Sequence, residues 1–171
     1  MASPIDLEGV EGARSRRKRS LDRERTAQLA SAFAFAAAAI AIALLVPTDR
    51  TLAWWEAVVL IAAYAACSRV EFEVGSGASI PTQLVFVPML FAAPLPLVPL
   101  LVAAGAVAGE VPQYVRGRIP IRRVIVAVPN AWYSVGPVLV LAAVGERPPD
   151  LGDAPLYVAA LGAQFAFDLG N

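Results

Sequence analysis

The sequence contains no histidine and a single cysteine, Cys67. Without an imidazole, a Ser-His-Asp triad, a Cys-His pair, a histidine-ligated metal site and a histidine proton switch are all excluded. One cysteine cannot form a disulfide within the chain. No Gly-rich phosphate loop of the Walker type is present either. We therefore expect this chain not to be an enzyme, and we assign it no cofactor and no metal.

Charge is also scarce, because only 16% of the residues are charged while 58% are hydrophobic and the mean hydropathy is +0.62. A water-soluble domain of this size is much more polar. Apolar runs close to the ~20 residues that cross a bilayer recur along the chain. The composition therefore predicts an all-α integral membrane protein, with the lipid bilayer as its first partner.

The basic residues are concentrated in two clusters. Seven of the fourteen lie between Arg14 and Arg25, and four more lie between Arg116 and Arg123. Both clusters flank apolar segments, so orienting those segments in a membrane explains them more simply than nucleic-acid binding does. We expect no nucleic-acid partner.

The apolar pattern predicts a disordered basic cytoplasmic tail over residues 1–26, followed by a membrane domain over residues 27–171. This domain is divided into about six spans: 27–46, 52–68, 80–93, 95–109, 124–144 and 155–171. Between the second and third spans, Val70, Phe72 and Val74 alternate with glutamates before a Gly-rich turn. That alternation indicates a short extended segment, and a plain polar loop is the alternative.

Five prolines interrupt the apolar segment 81–101, and three of them, Pro94, Pro96 and Pro99, fall within six residues. Residues 83–108 carry no charge, but as one helix they would be about 39 Å long, which exceeds a bilayer core. A hairpin of two short spans that turns at the prolines avoids this length. With the amino terminus in the cytoplasm, it also places twelve basic residues inside and two outside, as the positive-inside rule favours.

Polar side chains at membrane depth must find partners, so they are candidates for function. The candidates are Thr82, Gln83, Asn130, Tyr133, Ser134 and Gln164. One interpretation is hydrogen bonding between helices, at ~0.6–2 kcal/mol per contact. The other is a small polar cavity lined by Gln83, beside the break at Pro81, and Asn130. Asp168, four residues after Gln164 on the same helix face, is a further candidate. It lies near the predicted inner surface, so contact with water is the alternative.

Two further patterns bear on partners. Gly105 and Gly109 form a small-xxx-small pair, which favours close helix packing within the chain, with a homodimer as the alternative. Residues 155–171 show neither a basic flank nor a polar tail. This pattern favours a chain that continues beyond Asn171, and six spans would place that continuation in the cytoplasm.

The order of these features resembles a known family. A basic tail, two spans, "FEVGSGASIPTQLVFVPMLF", a proline hairpin, a basic loop and "VPNAWYSVGPVLVLAAVG" are similar to the amino-terminal membrane region of bacterial cyclic-di-GMP signalling proteins. The resemblance covers roughly residues 27–171, and the Ala- and Arg-rich composition resembles that of actinobacterial chains. In that family, multi-span sensor or anchor modules precede cytoplasmic GGDEF or HD-GYP domains, and neither signature occurs in this sequence.

The resemblance implies a non-catalytic sensor or anchor module in the bacterial cytoplasmic membrane. Its helix packing would act on a cytoplasmic output domain beyond residue 171, such as a cyclic-di-GMP cyclase or phosphodiesterase. The alternative is a small six-span transport protein, such as the substrate-binding subunit of a vitamin importer. In that case the broken hairpin and Asn130 would line a substrate site.

Overall fold

The computed structural model describes residues 7–70, 72–74, 77–79, 81–121, 126–145 and 150–169. Within these residues the chain is almost entirely helical, as predicted. Its α-helices are α1 (Leu7–Leu45), α2 (Trp54–Cys67), α3 (Gln83–Ala92), α4 (Val98–Val115), α5 (Val135–Val144) and α6 (Ala154–Leu169). Short 3-10 segments occupy Leu95–Leu97, Pro129–Ser134 and Leu151–Asp153. The predicted basic loop before the fifth span and the predicted exterior loop after it lie partly outside the described residues. Residues 1–6 and 170–171 lie wholly outside them.

Two helical stretches are long and apolar enough to cross a membrane. They are Arg23–Leu45 within α1, with a mean hydropathy of 2.1, and Leu95–Val115, with a mean hydropathy of 1.7. Three shorter apolar helices accompany them: Trp54–Cys67, Gln83–Ala92 and Pro129–Val144. A strongly apolar helical chain is therefore observed, and the helices differ widely in length.

Helix α1 begins at Leu7, inside the segment that the sequence predicted as a disordered tail. The residues involved are mostly Arg, Glu, Ala and Leu, which are good helix formers. Adding a residue to an existing helix costs much less than starting one. The apolar part of α1 therefore supplies a nucleus from which the helix extends back through the basic residues.

The alternating segment after α2 forms a small antiparallel hairpin. Strand β1 (Phe72–Val74) pairs with β2 (Gly77–Ser79), with Phe72 opposite Ser79 and Val74 opposite Gly77. The extended segment predicted from the alternation is thus present, within a described chain that is otherwise mainly helical. The hairpin lies between α2 and α3 in the order of elements along the chain.

The proline cluster breaks the helix where the sequence predicted. Helix α3 ends at Ala92, Ala93 is extended with φ −93° and ψ 161°, and a 3-10 turn leads into α4. Ala93 and Leu95 are buried, so the turn is packed inside the bundle. Helix α4 runs six residues beyond the predicted end of its span at residue 109, because Pro112 interrupts only part of its last turns.

Small residues bring α4 close to α2. A Cβ added at Gly105 would lie 2.7 Å from Cδ1 of Tyr64, and one at Gly109 would collide with the Ser68 hydroxyl. The Gly105–Gly109 pair therefore packs against α2 of the same chain. Val98 and Val102 lie on the same face of α4 as the two glycines. They belong to an apolar core of fully buried side chains from α1, α3, α4 and α5: Phe35, Phe86, Met89, Val98, Val102 and Val138.

Candidate functional site

A cavity of about 510 Å³ opens at the end of the bundle where α2 and α6 end and α3 begins. We call it the tyrosine cavity. Its lining residues come from α2, α3, α4, α6 and the segment before α5: Tyr64, Ser68, Thr82, Gln83, Ala106, Glu110, Ala127, Asn130, Tyr133, Gln164 and Asp168. Five of these six sequence candidates, and Asp168 as well, are thus brought together, although they come from segments far apart in the chain.

Two tyrosine hydroxyls meet in the tyrosine cavity. The Oη atoms of Tyr64 and Tyr133 lie 2.6 Å apart in a hydrogen bond that either phenol can donate. The Thr82 side chain provides a further hydrogen-bonding partner for both phenols. Tyr64 is only 4% exposed. The three hydroxyls thus join α2, the start of α3 and the segment before α5.

The two tyrosine rings are positioned by their neighbours. Gly105 leaves the space that the Tyr64 ring fills, since any larger residue would overlap the ring carbons. Phe86 packs edge-on against Tyr133, with ring centroids 5.0 Å apart at 76°. This edge-to-face geometry is favourable for aromatic pairs. Because Phe86 is fully buried, the apolar core forms a firm support behind the polar cavity.

Helix α6 forms one wall of the tyrosine cavity. Gln164 and Asp168 both line it, as expected for residues four apart on one helix face. Behind them α6 packs closely on α5, because a Cβ added at Gly136 would lie 2.6 Å from the carbonyl oxygen of Ala163. The Phe167 ring stacks on Trp132 at 6.1 Å and 20°. The position of α6 is therefore set by contacts adjoining the cavity.

Trp132 extends this set of contacts to α1. Its indole Nε1 donates a hydrogen bond of 3.1 Å to the Ser31 hydroxyl. Phe35 of α1 packs edge-on against the same indole, with centroids 5.5 Å apart. Trp132 thus lies between α1 and α6 and immediately precedes Tyr133 in the chain. The Trp132 side chain therefore contacts both helices next to a residue of the cavity lining.

The charge of the cavity lining has one sign. Glu110 and Asp168 are acidic, and none of the described lining residues is basic. Asp168 is close enough to Tyr133 to interact electrostatically with it. No cluster of three or more His, Cys, Asp or Glu side chains suited to a metal ion occurs in the part of the chain that the structure describes. The lining therefore presents carboxylates, amides and hydroxyls without a metal-binding cluster.

No protein-family model, curated protein or solved structure matches this chain. The site is therefore interpreted from its own chemistry. It holds hydroxyls, amides and carboxylates. Groups of these kinds orient polar ligands in small-molecule sites.

The sixth sequence candidate, Ser134, lies elsewhere. It is fully buried, and its hydroxyl donates a 2.6 Å hydrogen bond to the carbonyl oxygen of Ala131. This local bond satisfies the hydroxyl within its own helical segment. Gln83 and Asn130, by contrast, are exposed and form part of the rim of the tyrosine cavity.

The sequence candidates omitted Tyr64, Ser68 and Glu110. Tyr64 lies within an apolar helix, so the criterion that selected Tyr133 also applies to Tyr64. Ser68 is the last residue of the predicted span 52–68 and Glu110 lies just beyond the predicted span 95–109, so neither counts as a polar residue at membrane depth. Helix α4 instead continues to Val115, which carries Glu110 into the wall of the cavity.

Proposed function

We propose that this chain is a multi-span module of a bacterial cytoplasmic membrane that binds a small molecule in the tyrosine cavity and relays binding through α6. The observation that carries the proposal is the composition of the cavity wall. Side chains from α2, α3, α4 and α6 meet there around one polar space. Its volume of about 510 Å³ falls within the ~300–1,000 Å³ typical of small-molecule sites.

The membrane location is supported by the outer surface of the bundle. Large apolar side chains are highly exposed on several helices, including Phe33 (76%), Leu44 (79%), Leu84 (73%) and Phe165 (65%). Water-soluble proteins avoid such extensive apolar surface, whereas lipid tails cover it without penalty. The basic residues near the amino terminus favour a cytoplasmic amino terminus, and in that orientation the cavity faces the cytoplasm.

The short helices are compatible with this location. Helix α3 has ten residues, so it spans about 15 Å, roughly half of a bilayer core. It begins at the tyrosine cavity and ends in the buried turn at Ala93. Non-helical backbone at membrane depth is tolerated where it lines a water-filled cavity or is buried in protein. Both conditions are met at the two ends of α3.

The relay follows from where the ligand would sit. A molecule in the cavity contacts Gln164 and Asp168 of α6 as well as groups on three other elements. It shifts the position of α6 to the extent that it binds one arrangement of the helices better than another. A cytoplasmic output domain joined to α6 would receive this shift. The module itself carries out no chemistry.

The proposal is tested by filling the tyrosine cavity and measuring the position of α6. Ala106 lines the cavity, and Ala106→Phe places a ring inside it. Spin labels at Arg69→Cys and Ala166→Cys, in a Cys67→Ser background, report the distance from the end of α2 to α6 in lipid nanodiscs. We expect the distance distribution to move by about 1–2 Å, the size of helix shifts in known switches.

Ala104→Phe is the matched control, because Ala104 is exposed on the same helix and outside the cavity lining. It should leave the distance unchanged. Identical distributions in the parent, Ala106→Phe and Ala104→Phe proteins would show that α6 does not respond to the cavity, and the relay would be rejected.

A small transport protein is the second candidate, favoured by the same ligand-sized polar cavity. Transport requires the cavity to open alternately to both sides of the membrane. Thr82→Cys in a Cys67→Ser background places a thiol on the cavity lining. Labelling by an impermeant thiol reagent from the cytoplasmic side alone supports the sensor. Labelling from both sides of sealed, oriented vesicles supports transport.

A further inference from the structure

We propose that the ligand of the tyrosine cavity is a small organic cation that also forms hydrogen bonds, such as a compound with a protonated or quaternary amine. The assignment rests on the proposed binding function and adds the chemical class of the ligand. It is carried by three features of the lining: two carboxylates, two phenol rings and three amide side chains.

The carboxylates set the sign of the charge. Glu110 is half-buried on α4 and Asp168 is exposed at the end of α6, and both line the cavity. No described lining residue offers a compensating positive charge. A cation entering the space would neutralise these groups in surroundings where water screens charge less than in bulk solvent. An anion would be repelled by them.

The tyrosines favour an organic cation over a metal ion. The rings of Tyr64 and Tyr133 lie at the cavity, and aromatic faces attract ammonium groups. Their hydroxyls are already hydrogen-bonded to each other. Calcium requires six to eight oxygen ligands. The two carboxylates of the lining do not supply such a shell. The described residues contain no cluster of three or more His, Cys, Asp or Glu side chains that could hold a metal ion.

The three amide side chains of the lining predict that the ligand carries hydrogen-bonding groups besides its positive charge. Gln83, Asn130 and Gln164 each present a carbonyl oxygen and an NH₂ group at or near the rim. These groups can bind hydroxyl, amide or ring nitrogen groups that accompany the cation. An apolar molecule would leave them unpaired. The lining therefore selects a ligand that is both positively charged and rich in hydrogen-bonding groups.

The test is calorimetric titration of the full chain in dodecyl maltoside, a neutral detergent that carries no amine. The cationic probes are choline, agmatine and spermidine. The matched neutral probe is 3,3-dimethylbutan-1-ol, in which carbon replaces the quaternary nitrogen of choline, and the anionic probe is succinate. We expect at least one cation to bind saturably, with binding that weakens as sodium chloride is raised from 50 to 300 mM.

Variants locate the binding. The double variant Glu110→Gln, Asp168→Asn should bind the same cation about fivefold more weakly, as for partly exposed charges. Asp49→Asn removes an exposed carboxylate outside the cavity lining and should leave binding unchanged. If the double variant does not fold, the single variant Asp168→Asn, at an exposed position, replaces it with the same expectation of weaker binding.

Several results would overturn the assignment. They are the absence of binding by all three cations, equal binding of 3,3-dimethylbutan-1-ol and choline, preferential binding of succinate, or an equal loss in Asp49→Asn. Each would remove the cationic class and leave the proposed function untouched. That function fails on a different result, namely an α6 distance that does not respond to Ala106→Phe.

Discussion

The two ends of α3 differ in how their polar groups are satisfied. At its carboxyl end, Nη1 of Arg50 donates hydrogen bonds of 3.3 Å to the carbonyl oxygens of Leu90 and Ala93. Ala93 and Leu95, on either side of Pro94, are buried. At its amino end, Thr82 and Gln83 belong to the lining of the tyrosine cavity. One short helix thus connects a packed, capped end to an open, polar end.

We therefore expect the two ends of α3 to affect different properties, namely the stability of the fold and the binding of a ligand. A cationic side chain at a helix carboxyl terminus satisfies the unpaired carbonyls there and interacts favourably with the helix dipole. The end capped by Arg50 therefore holds α3 in a fixed position. The other end keeps polar groups around a space that a ligand can occupy. The comparison predicts that substitutions at the capped end reduce stability most, while substitutions at the cavity have smaller effects on folding and larger effects on binding.

The largest loss of stability is expected for Arg50→Met. The substitution removes the donor to two carbonyl oxygens in a part-buried turn. Hydrogen bonds to a charged group contribute about 1.5–3 kcal/mol each, so we expect a loss of about 3 kcal/mol in the free energy of unfolding. Unfolding in mixed dodecyl maltoside and sodium dodecyl sulfate micelles, followed by circular dichroism, measures it.

Arg69→Met is the control. Arg69 is an exposed arginine that follows the carboxyl end of α2, whereas Arg50 precedes the amino end of that helix. Arg50→Lys should recover only part of the loss, since a single ammonium lacks the planar fork of the guanidinium. Equal stability of Arg50→Met and Arg69→Met would show that the capped end does not depend on this contact, and the contrast between the ends of α3 would disappear.

A smaller loss, about 2 kcal/mol, is expected for Gly136→Ala. The added methyl group would meet the Ala163 backbone, which cannot move aside as a side chain can. Gly162→Ala is the matched control on α6, because no atom lies within 4 Å of a Cβ added there. Replacing glycine in a helix interior normally stabilises by up to ~1 kcal/mol, so Gly162→Ala should raise stability.

Gly136→Ala also sharpens the comparison. It should displace α6 in the spin-label distance measurement while leaving the Arg50 end intact. If Gly136→Ala and Gly162→Ala have the same stability and the same distances, α6 is not closely packed on α5. The wall of the tyrosine cavity would then be looser than the structure indicates.

Much of this architecture follows from the sequence. Helical content is dictated by the apolar runs. The break before α4 follows from Pro94 and Pro96, which interrupt a regular helix, whereas Pro99 lies in the first turn of α4, where proline is tolerated. The polar residues that line the cavity were identifiable because apolar helices rarely contain them. These features depend on local chemistry, which a single sequence expresses directly.

Other features depend on distant parts of the chain. The predicted topology places Arg50 in the exterior turn between the first two spans, and nothing in its sequence neighbourhood indicates that it reaches carbonyls about forty residues away. The partnership of Tyr64 with Tyr133 likewise depends on how α2 and the segment before α5 pack. Glu110 was missed because helix ends are set by tertiary contacts as well as by propensity. Such pairings require the fold.

A still smaller effect is expected for the tyrosine pair. A double-mutant cycle of Tyr64→Phe and Tyr133→Phe should give a coupling of about 1 kcal/mol, within the range for hydrogen bonds between membrane helices. Thr82 limits the loss, because it remains a partner for the hydroxyl left in each single variant. Unfolding in mixed micelles provides the four free energies.

Tyr114→Phe is the control for the cycle, since Tyr114 is exposed on α4. A coupling of zero would mean that the two hydroxyls do not stabilise one another, despite their 2.6 Å separation. A coupling free energy as large as the loss of stability in Arg50→Met would mean that the cavity end of α3 stabilises the fold as much as the capped end. The predicted difference between the two ends would then be wrong.

The smallest effect, about 0.5 kcal/mol, is expected for Ser31→Ala. The substitution removes the acceptor of the Trp132 indole, but the ring remains packed between Phe35 and Phe167. In a Trp54→Phe, Trp55→Phe background, fluorescence reports Trp132 alone, and we expect its emission to shift while stability changes little. A loss as large as that of Gly136→Ala would mean that the hydrogen bond, and not the aromatic packing, holds α1 beside the cavity. Because α1 and α6 both contact this one indole, that result would also give α1 a part in the relay that we propose for α6.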